Sequence, residues 1–179
     1  MKKLLLIIVL SFSFIFLRAS DTLTHVIKEG NITVDLPNNN WKLYSHEQHN
    51  GMIIYLFKRV PITDSSGMNI IPNIGIIIET VDSKLDVVTY SVEKRANMPL
   101  DIDEMFIHED GKINFKNAVG YKAKYYDPPS LQHTVYVIHA INKGKGIQFI
   151  LDATTSVFGE VDKEFQYVIK SIRISGASK

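Results

Sequence analysis

The sequence predicts an α+β fold in which helices flank an antiparallel β-sheet on both faces, an α/β/α sandwich. Two observations support this prediction. Along the chain, segments with strand periodicity come first, followed by a helix, further strands and a second helix. The runs Ile53–Phe57 and Ile74–Ile78 are also apolar on both sides of the strand. Such strands are buried on both sides, so we expect other elements to cover each face of the sheet.

The region before the first predicted helix contains a series of strand segments. Apolar and polar residues alternate over Asn31–Leu36 and the pattern stops at Pro37, which is typical of a strand. The other segments are predicted from their apolar and aromatic content, and they are Val26–Ile27, Trp41–Tyr44, Met52–Lys58 and Ile74–Ile78. We expect the polar stretch Ser45–Gly51 to be the turn between two of them.

Two helices are predicted from apolar residues at helical spacing. The first spans Lys84–Asn97, and Ser83 with Asp86 resembles a capping box that has Asp in place of Glu. Its predicted buried stripe is Leu85, Val88, Val92 and Ala96. The second helix spans Glu160–Ile172, and its predicted stripe is Val161, Phe165, Val168, Ile169 and Ile172.

Between the helices, the sequence predicts further strands. The clearest is a hairpin of Thr134–Asn142 and Gly146–Thr154, joined by Lys143-Gly144-Lys145. Ile113–Phe115 and Tyr121–Tyr126 are predicted strands with a turn between them. No linker or internal repeat divides the chain, so we expect a single domain over residues 21–179.

The first twenty residues have the layout of a secretory signal peptide. Lys2-Lys3 precedes the apolar run Leu4–Leu17, and the small residues Ala19-Ser20 follow. The run is shorter than the roughly 20 residues that a helix needs to cross a bilayer. We therefore predict a signal peptide over residues 1–20. An uncleaved N-terminal anchor is the alternative, because Arg18 directly follows the apolar run.

The composition limits where the protein works and what it binds. The chain has no cysteine, so it has no disulfide framework and lacks the residue that carries the lipid of a bacterial lipoprotein. Acidic and basic residues are interspersed and the net charge is +1, whereas nucleic-acid binding needs a basic face. We expect a protein of the periplasm or the extracellular space, with no nucleic-acid partner and no membrane span after signal cleavage.

No catalytic template fits the sequence. His46-Glu47-Gln48-His49 comes near the zinc-protease motif H-E-x-x-H, but Asn50 stands where the second histidine is needed. The acidic segment Asp101–Asp110 has Met105 and Phe106 where a calcium loop needs a ligand and a glycine. A nucleophile elbow, a P-loop and a dinucleotide fingerprint are all lacking. The sequence therefore favours a non-enzymatic protein with no cofactor and no assigned catalytic or metal residue.

An alternative function stays open at this point. His46, His49 and the acidic segment 101–110 could form a small-ligand or divalent-metal site, or the site of a metal-dependent enzyme. The other reading of the acidic segment is a charged surface loop. His133 and His139 lie on one predicted strand, about 20 Å apart at strand rise, which is too far to share a site.

Two loops carry a signal for binding. The connection Pro61–Pro72 is long for a loop, and connections of this length are often functional. Tyr125-Tyr126 stands beside the rigid turn Asp127-Pro128-Pro129, and interfaces favour such aromatic side chains. The candidate binding residues are Met68, Ile70, Ile71, Tyr125 and Tyr126. The structural alternative is a packed Ω-like loop and a hairpin tip.

Four motifs occur in order between Asn31 and Ile174. They are the run Ile32–Pro37 followed by Trp41, a helix after Ile76–Glu79, the glycine turn in Asn117–Tyr121, and a closing helix that ends at Ile169–Ile172. In this order they resemble the PsbP-like and Mog-like superfamily, which includes the DcrB-type bacterial envelope proteins.

The resemblance implies an antiparallel sheet sandwiched by helices and a non-catalytic role as an adaptor. Members of the superfamily include a thylakoid-lumen subunit that stabilises photosystem II, a nuclear partner of a small GTPase, and bacterial proteins of unknown role. No shared set of residues defines one activity, so the resemblance supplies no site residues. Together with the export signal, it implies an accessory protein that binds a protein partner in the bacterial cell envelope.

Overall fold

The computed structural model describes residues 23–127 and 131–175. Within these ranges the chain forms two α-helices, α1 (Val87–Arg95) and α2 (Thr155–Ser171), together with twelve strands. The strands are β1 (Leu23–Ile27), β2 (Ile32–Leu36), β3 (Trp41–His49), β4 (Met52–Arg59), β5 (Ile62–Thr63), β6 (Asn69–Ile70), β7 (Asn73–Thr80), β8 (Asp101–Ile107), β9 (Ala118–Asp127), β10 (Leu131–Asn142), β11 (Lys145–Thr154) and β12 (Arg173–Ile174). The predicted signal peptide, residues 1–20, lies outside the described residues. No helix in the described ranges is long and apolar enough to cross a membrane.

Seven strands form one antiparallel sheet in the order β3-β4-β7-β11-β10-β9-β8. Its centre is the predicted hairpin of β10 and β11, which pair from His133 opposite Thr154 to Asn142 opposite Lys145. The turn residues Lys143 and Gly144 have positive φ angles of 48° and 72°. A two-residue turn of this kind matches the right-handed twist of the strands that it joins. The prediction of this hairpin is confirmed.

A second, smaller antiparallel sheet has the order β1-β2-β12. Within it β1 pairs with β2, with Ile27 opposite Ile32. Every residue of β2 is buried, including its polar residues. Asp35 in β2 accepts two hydrogen bonds from the Arg173 guanidinium, both at 2.8 Å. This forked, charge-assisted pair joins β12 to β2 and closes the small sheet.

One face of the large sheet is covered by α2 and the small sheet. The helix α2 begins at Thr155, five residues before the predicted start, and its predicted apolar stripe is buried as expected. These side chains pack in one core with residues of the large sheet, which are Trp41, Phe57, Ile74, Ile76, Ile78, Ile138, Ile147, Phe149 and Leu151. Burial of this apolar surface is the main source of stability.

The predicted α/β/α sandwich is wrong. Within the described residues, the second face of the large sheet carries a single helix, α1, which has nine residues and contacts β9 and β10. Nine helical residues span about 14 Å, whereas seven strands are about 29 Å wide. Ile54, Leu56 and Ile77 on β4 and β7 are therefore only half-buried. The fold is a large antiparallel sheet with two helices, and a helical layer does not cover each face.

The predicted apolar stripe of the first helix is also wrong. Val88 and Val92 are 61% and 51% exposed, and the residues that α1 buries are Tyr90 and Ser91. The helix begins after Asp86, whose carboxylate accepts two backbone hydrogen bonds of the first turn. The apolar spacing pointed to the wrong side of α1 because this helix docks on the sheet through polar side chains.

Three other segments differ from their predictions. Most of Ser45–Gly51, predicted as a turn, extends β3 and pairs with β4. The segment Asp101–Asp110, predicted as a charged surface loop, forms β8 and a short 3-10 turn. Ile113–Phe115 forms no strand, although both of its apolar residues are buried. Pairing with a neighbouring strand is a tertiary contact, and here it overrides local preference.

Candidate functional site

Five exposed apolar side chains lie at one end of the large sheet, where β4 and β9 end and β7 and β10 begin. Their exposed fractions lie between 41% and 68%. Together they form what we term the loop-end surface, and they are Val60, Met68, Ile71, Tyr126 and Leu131. Three of the five are candidate binding residues predicted from the sequence.

The candidate residues of the β4–β7 connection differ in burial: one packs on the core and two are exposed. Ile70 in β6 lies opposite Ile62 in β5, and both pack against the main core. Met68 and Ile71 are 45% and 48% exposed. Ile70 is therefore half-buried against the core, and Met68 and Ile71 form part of the surface.

Asp64 stabilises the tip of this connection through several hydrogen bonds. Its carboxylate accepts hydrogen bonds from the Ser66 hydroxyl at 2.6 Å and from the Met68 backbone N–H at 3.0 Å. It also accepts one from the hydroxyl of Ser156 in the first turn of α2, at 3.2 Å. The Ser66 hydroxyl, with the other donors, holds the pKa of Asp64 below its usual value. Met68 is thus presented from a hydrogen-bonded turn.

The two predicted tyrosines of β9 also differ in their exposure. Tyr126 is 68% exposed and belongs to the loop-end surface. Tyr125 stacks on His133, with ring centroids 4.8 Å apart, and its hydroxyl donates to Asp152 at 3.2 Å. Burial and the nearby Asp152 carboxylate raise the pKa of Tyr125. Tyr125 is therefore half-buried and packs against β10 and β11.

Asp152 connects the beginning of β7, the end of β9 and the beginning of β10. Its carboxylate accepts hydrogen bonds from His133 Nδ1 at 3.0 Å, from the Tyr125 hydroxyl, and from Asn73 Nδ2 at 3.4 Å. Asn73 begins β7 directly after the connection that holds Ile71. The structure therefore brings both loops to one end of the sheet. Sequence reasoning missed Asp152 because 79 residues separate it from Asn73 and no local motif contains both.

The pair of His133 and Asp152 is an orienting arrangement that hydrolases also use, but there the histidine activates a nucleophile through its other ring nitrogen. In the described part of the chain, no hydroxyl is hydrogen-bonded to Nε2 of His133. The hydroxyl of Thr154, opposite His133 in the sheet, lies 3.0 Å from that of Ser156. Within the described residues, the arrangement orients the His133 ring and connects the ends of β10 and β11.

A second polar cluster lies beneath α1. The Ser91 hydroxyl oxygen is 2.8 Å from both the Tyr121 hydroxyl and His139 Nδ1. His139 is 0% exposed, and its Nε2 has no hydrogen-bond partner in the described residues. Burial, and secondarily the positive charges of Lys94 and Arg95, lower the pKa of His139 to about 4. This serine–histidine pair is neutral at pH 7 and enclosed, so it holds α1 in place.

The residues of the alternative metal site lie at opposite edges of the large sheet. His46 and His49 are on β3, where His46 stacks on Tyr55 with ring centroids 4.1 Å apart. Asp101–Asp110 forms β8 and the turn after it. Six strand spacings, about 29 Å, separate β3 from β8, so one ion cannot contact both. Among residues 23–127 and 131–175, no group of three or more His, Asp or Glu side chains is placed to hold a metal ion.

No protein-family profile matches this sequence, and no curated protein matches it. Among solved structures, the chain is similar to cyanobacterial PsbP (CyanoP) of Synechocystis sp. PCC 6803, with a TM-score of 0.53 and 15% identity over 86% of this chain and 92% of that one. It is also similar to a protein of Bacteroides thetaiotaomicron VPI-5482, with a TM-score of 0.49 and 10% identity over 84% of this chain. The chain spans 47% of the length of that second structure.

The likeness to the cyanobacterial protein supports a PsbP-like fold. The DcrB-type and Mog-like parts of the sequence resemblance have no counterpart among these structures, and they stay predictions. At 15% identity, the likeness concerns the fold and carries no function to this chain.

Proposed function

We propose that this protein is an exported, non-catalytic accessory domain that binds a protein partner through the loop-end surface. In this proposal residues 1–20 direct export, residues 21–179 form the domain, and the partner is in the bacterial cell envelope or outside the cell. The PsbP-like fold is compatible with an accessory role, and the binding role is argued from the loop-end surface alone.

The observation that supports the proposal best is the occurrence of five exposed apolar side chains at one end of the large sheet. Soluble proteins usually expose large apolar side chains singly, and a contiguous patch marks a contact surface. Here five such side chains share one end of the sheet. Asp64 holds the tip of the β4–β7 connection through hydrogen bonds, and Asp152 connects the end of β9 to the beginning of β7. Little conformational entropy is then lost on binding, which favours affinity.

The charges around the loop-end surface favour a folded protein as the partner. Lys58 and Lys124 lie near this end of the sheet together with Asp64 and Asp127, so both signs are present. A mixed polar rim around an apolar centre is typical of protein interfaces. Nucleic acids and anionic membranes require a surface dominated by positive charge. We infer a partner with its own apolar patch and a rim of mixed charge.

Site-specific photocrosslinking tests this proposal. A benzoylphenylalanine placed at Met68 and, separately, at Tyr126 should yield the same discrete adduct in cells that produce the protein, because both positions belong to one surface. The control position is Val88 on α1, which is 61% exposed and lies outside the surface. The proposal fails if neither position gives an adduct or if Val88 gives the same one. An adduct of twice the mass of the chain also contradicts it, because the partner is then a second copy.

An Ile71→Asp substitution supplies an independent readout. Because Ile71 is 48% exposed, the change should alter the free energy of unfolding by no more than about 0.5 kcal/mol. It should nevertheless abolish the adduct from Met68, since a buried carboxylate at an apolar interface is strongly unfavourable. An unchanged adduct yield would show that Ile71 is not part of the interface.

A further inference from the structure

A cavity of about 740 Å³ opens at the end of the large sheet opposite to the loop-end surface. It lies where the β10–β11 turn, the segment before β9, the loop before α1 and the strand β12 meet. Its apolar lining consists of Phe115 and Ile141, which are buried, together with Leu85 and Ile174. The volume is within the range of about 300–1,000 Å³ that is usual for sites of small organic molecules.

Three asparagine side chains hold the walls of this cavity in place. Asn117 donates a hydrogen bond to a β10 carbonyl at 2.9 Å, and Asn142 donates one to the carbonyl of Gly30 at 2.9 Å. Asn114 donates to the carbonyl of Lys170 near the end of α2. These bonds connect four separate parts of the chain around the opening. The cavity is therefore pre-formed, which lowers the entropic cost of binding a ligand.

The charged groups that line the cavity are all positive. Lys116 and Lys143 are exposed, and neither has an ion-pair partner or a side-chain hydrogen bond among the described residues. Arg173 is the third cation, and its guanidinium is already paired with Asp35. No described acidic residue lines the cavity. Two positive charges without a described acidic partner thus stand beside an apolar floor.

We propose that this cavity binds a small organic anion with an apolar body, such as a medium-chain carboxylate. The hydrocarbon packs on Phe115 and Ile141, and the carboxylate lies at the rim between Lys116 and Lys143. Burial of the chain supplies most of the affinity, since each methylene removed from water contributes about 0.8 kcal/mol. The lysines favour anionic amphiphiles over neutral ones and disfavour cationic ones most. The site shares no residue with the loop-end surface, so its experimental test does not depend on the protein-binding role.

Titration of the ¹⁵N-labelled protein with octanoate, followed by amide chemical shifts, tests this site. Saturable shifts should be confined to the amides around Asn114–Asn117 and Asn142–Gly144. If each of about ten non-hydrogen atoms contributes about 0.4 kcal/mol of binding free energy, the Kd is about 1 mM. Octan-1-ol, which has the same apolar body without the charge, should bind several-fold more weakly, and octylamine more weakly still.

Variants that remove one positive charge distinguish binding at this cavity from non-specific binding of octanoate. Lys143→Asn suits the left-handed backbone at φ 48° because Asn tolerates this conformation, and Lys116→Gln removes the second charge. Each should weaken octanoate binding about threefold and leave octan-1-ol binding unchanged. The matched control is Lys163→Gln, an exposed lysine of α2 outside the cavity, which should change neither.

Three results would overturn the proposal. The first is the absence of any saturable shift at the cavity with octanoate at about 10 mM, ten times the expected Kd. The second is binding of octan-1-ol as tight as that of octanoate. The third is an equal loss of affinity in the Lys163→Gln control and the two cavity variants.

Discussion

The enclosed position of His139 predicts that the protein loses stability as the pH falls below about 6.5. In the folded state, burial beneath α1 lowers the pKa of His139 from 6.5 to about 4, and Lys94 and Arg95 add to the effect. In the unfolded chain the same imidazole titrates at its ordinary value. At a pH between these two values the unfolded state binds a proton that the folded state excludes, so acid favours unfolding.

The difference between the two pKa values sets the size of the effect. A fall from 6.5 to about 4 corresponds to about 3 kcal/mol of folding free energy, at 1.36 kcal/mol for each pKa unit. This contribution is fully present above pH 6.5 and is lost progressively as the pH falls to about 4. Glu79, which accepts a hydrogen bond from Tyr90 beside the cluster, acts in the opposite direction. Burial also lowers the pKa of His25, which adds a loss of the same sign.

Urea unfolding followed by the fluorescence of Trp41 measures this loss as the free energy of unfolding between about pH 7.5 and about pH 4.5. His139→Phe fills a similar space without a titratable group. Over this pH range the free energy of unfolding of the variant should therefore fall less than that of the parent, and the difference should be most of the roughly 3 kcal/mol calculated above. His139→Gln is a second non-titrating replacement should the first variant fold poorly. The control is His49→Asn, an exposed histidine of β3, which should keep the parent slope. Equal slopes in the parent and in both His139 variants would refute the reasoning.

Three further predictions concern two glycines and a partly buried ion pair, and urea unfolding tests all of them. Gly120→Ala should cost about 1–3 kcal/mol, because its Cβ would lie 2.6 Å from Cζ of Phe106. Gly159→Ala in α2 meets open space and should instead raise stability by about 0.5–1 kcal/mol. Burial would raise the pKa of Glu164, but hydrogen bonds, first from Arg59 at 3.0 Å, hold it below its usual value. Glu164→Gln should therefore cost about 2 kcal/mol, and no loss in this variant would show that the charge is dispensable.

The parts of the fold that the sequence predicted correctly depend on spacing along the chain. The buried stripe of α2 recurs at helical intervals, and the β10–β11 hairpin combines apolar strands with a Lys-Gly turn that requires positive φ. The first helix carried the same kind of apolar signal at Val88 and Val92, yet these residues are exposed. Its docking face is polar because Glu79, Tyr121 and His139 on the sheet supply hydrogen-bonding partners there, which apolar periodicity does not reveal.

The candidate site was predictable only as two separate loops. Length and composition indicated the β4–β7 connection, and an aromatic pair indicated the end of β9. The choice between Ile70, which packs on the core, and Ile71, which is exposed, depends on β5 pairing with β6. The convergence of both loops depends on Asp152, a residue of a third strand that carried no signal in the sequence.

By itself, the sequence determined the main strand segments and the second helix with its buried face, because each depends on the order and spacing of neighbouring residues. The tertiary structure alone decided that α1 covers part of one face, that the ends of β4 and β9 lie at one end of the sheet, and that a cavity lined by lysines opens at the other end. Each of these depends on contacts between residues far apart in the chain, whose proximity local periodicity does not encode.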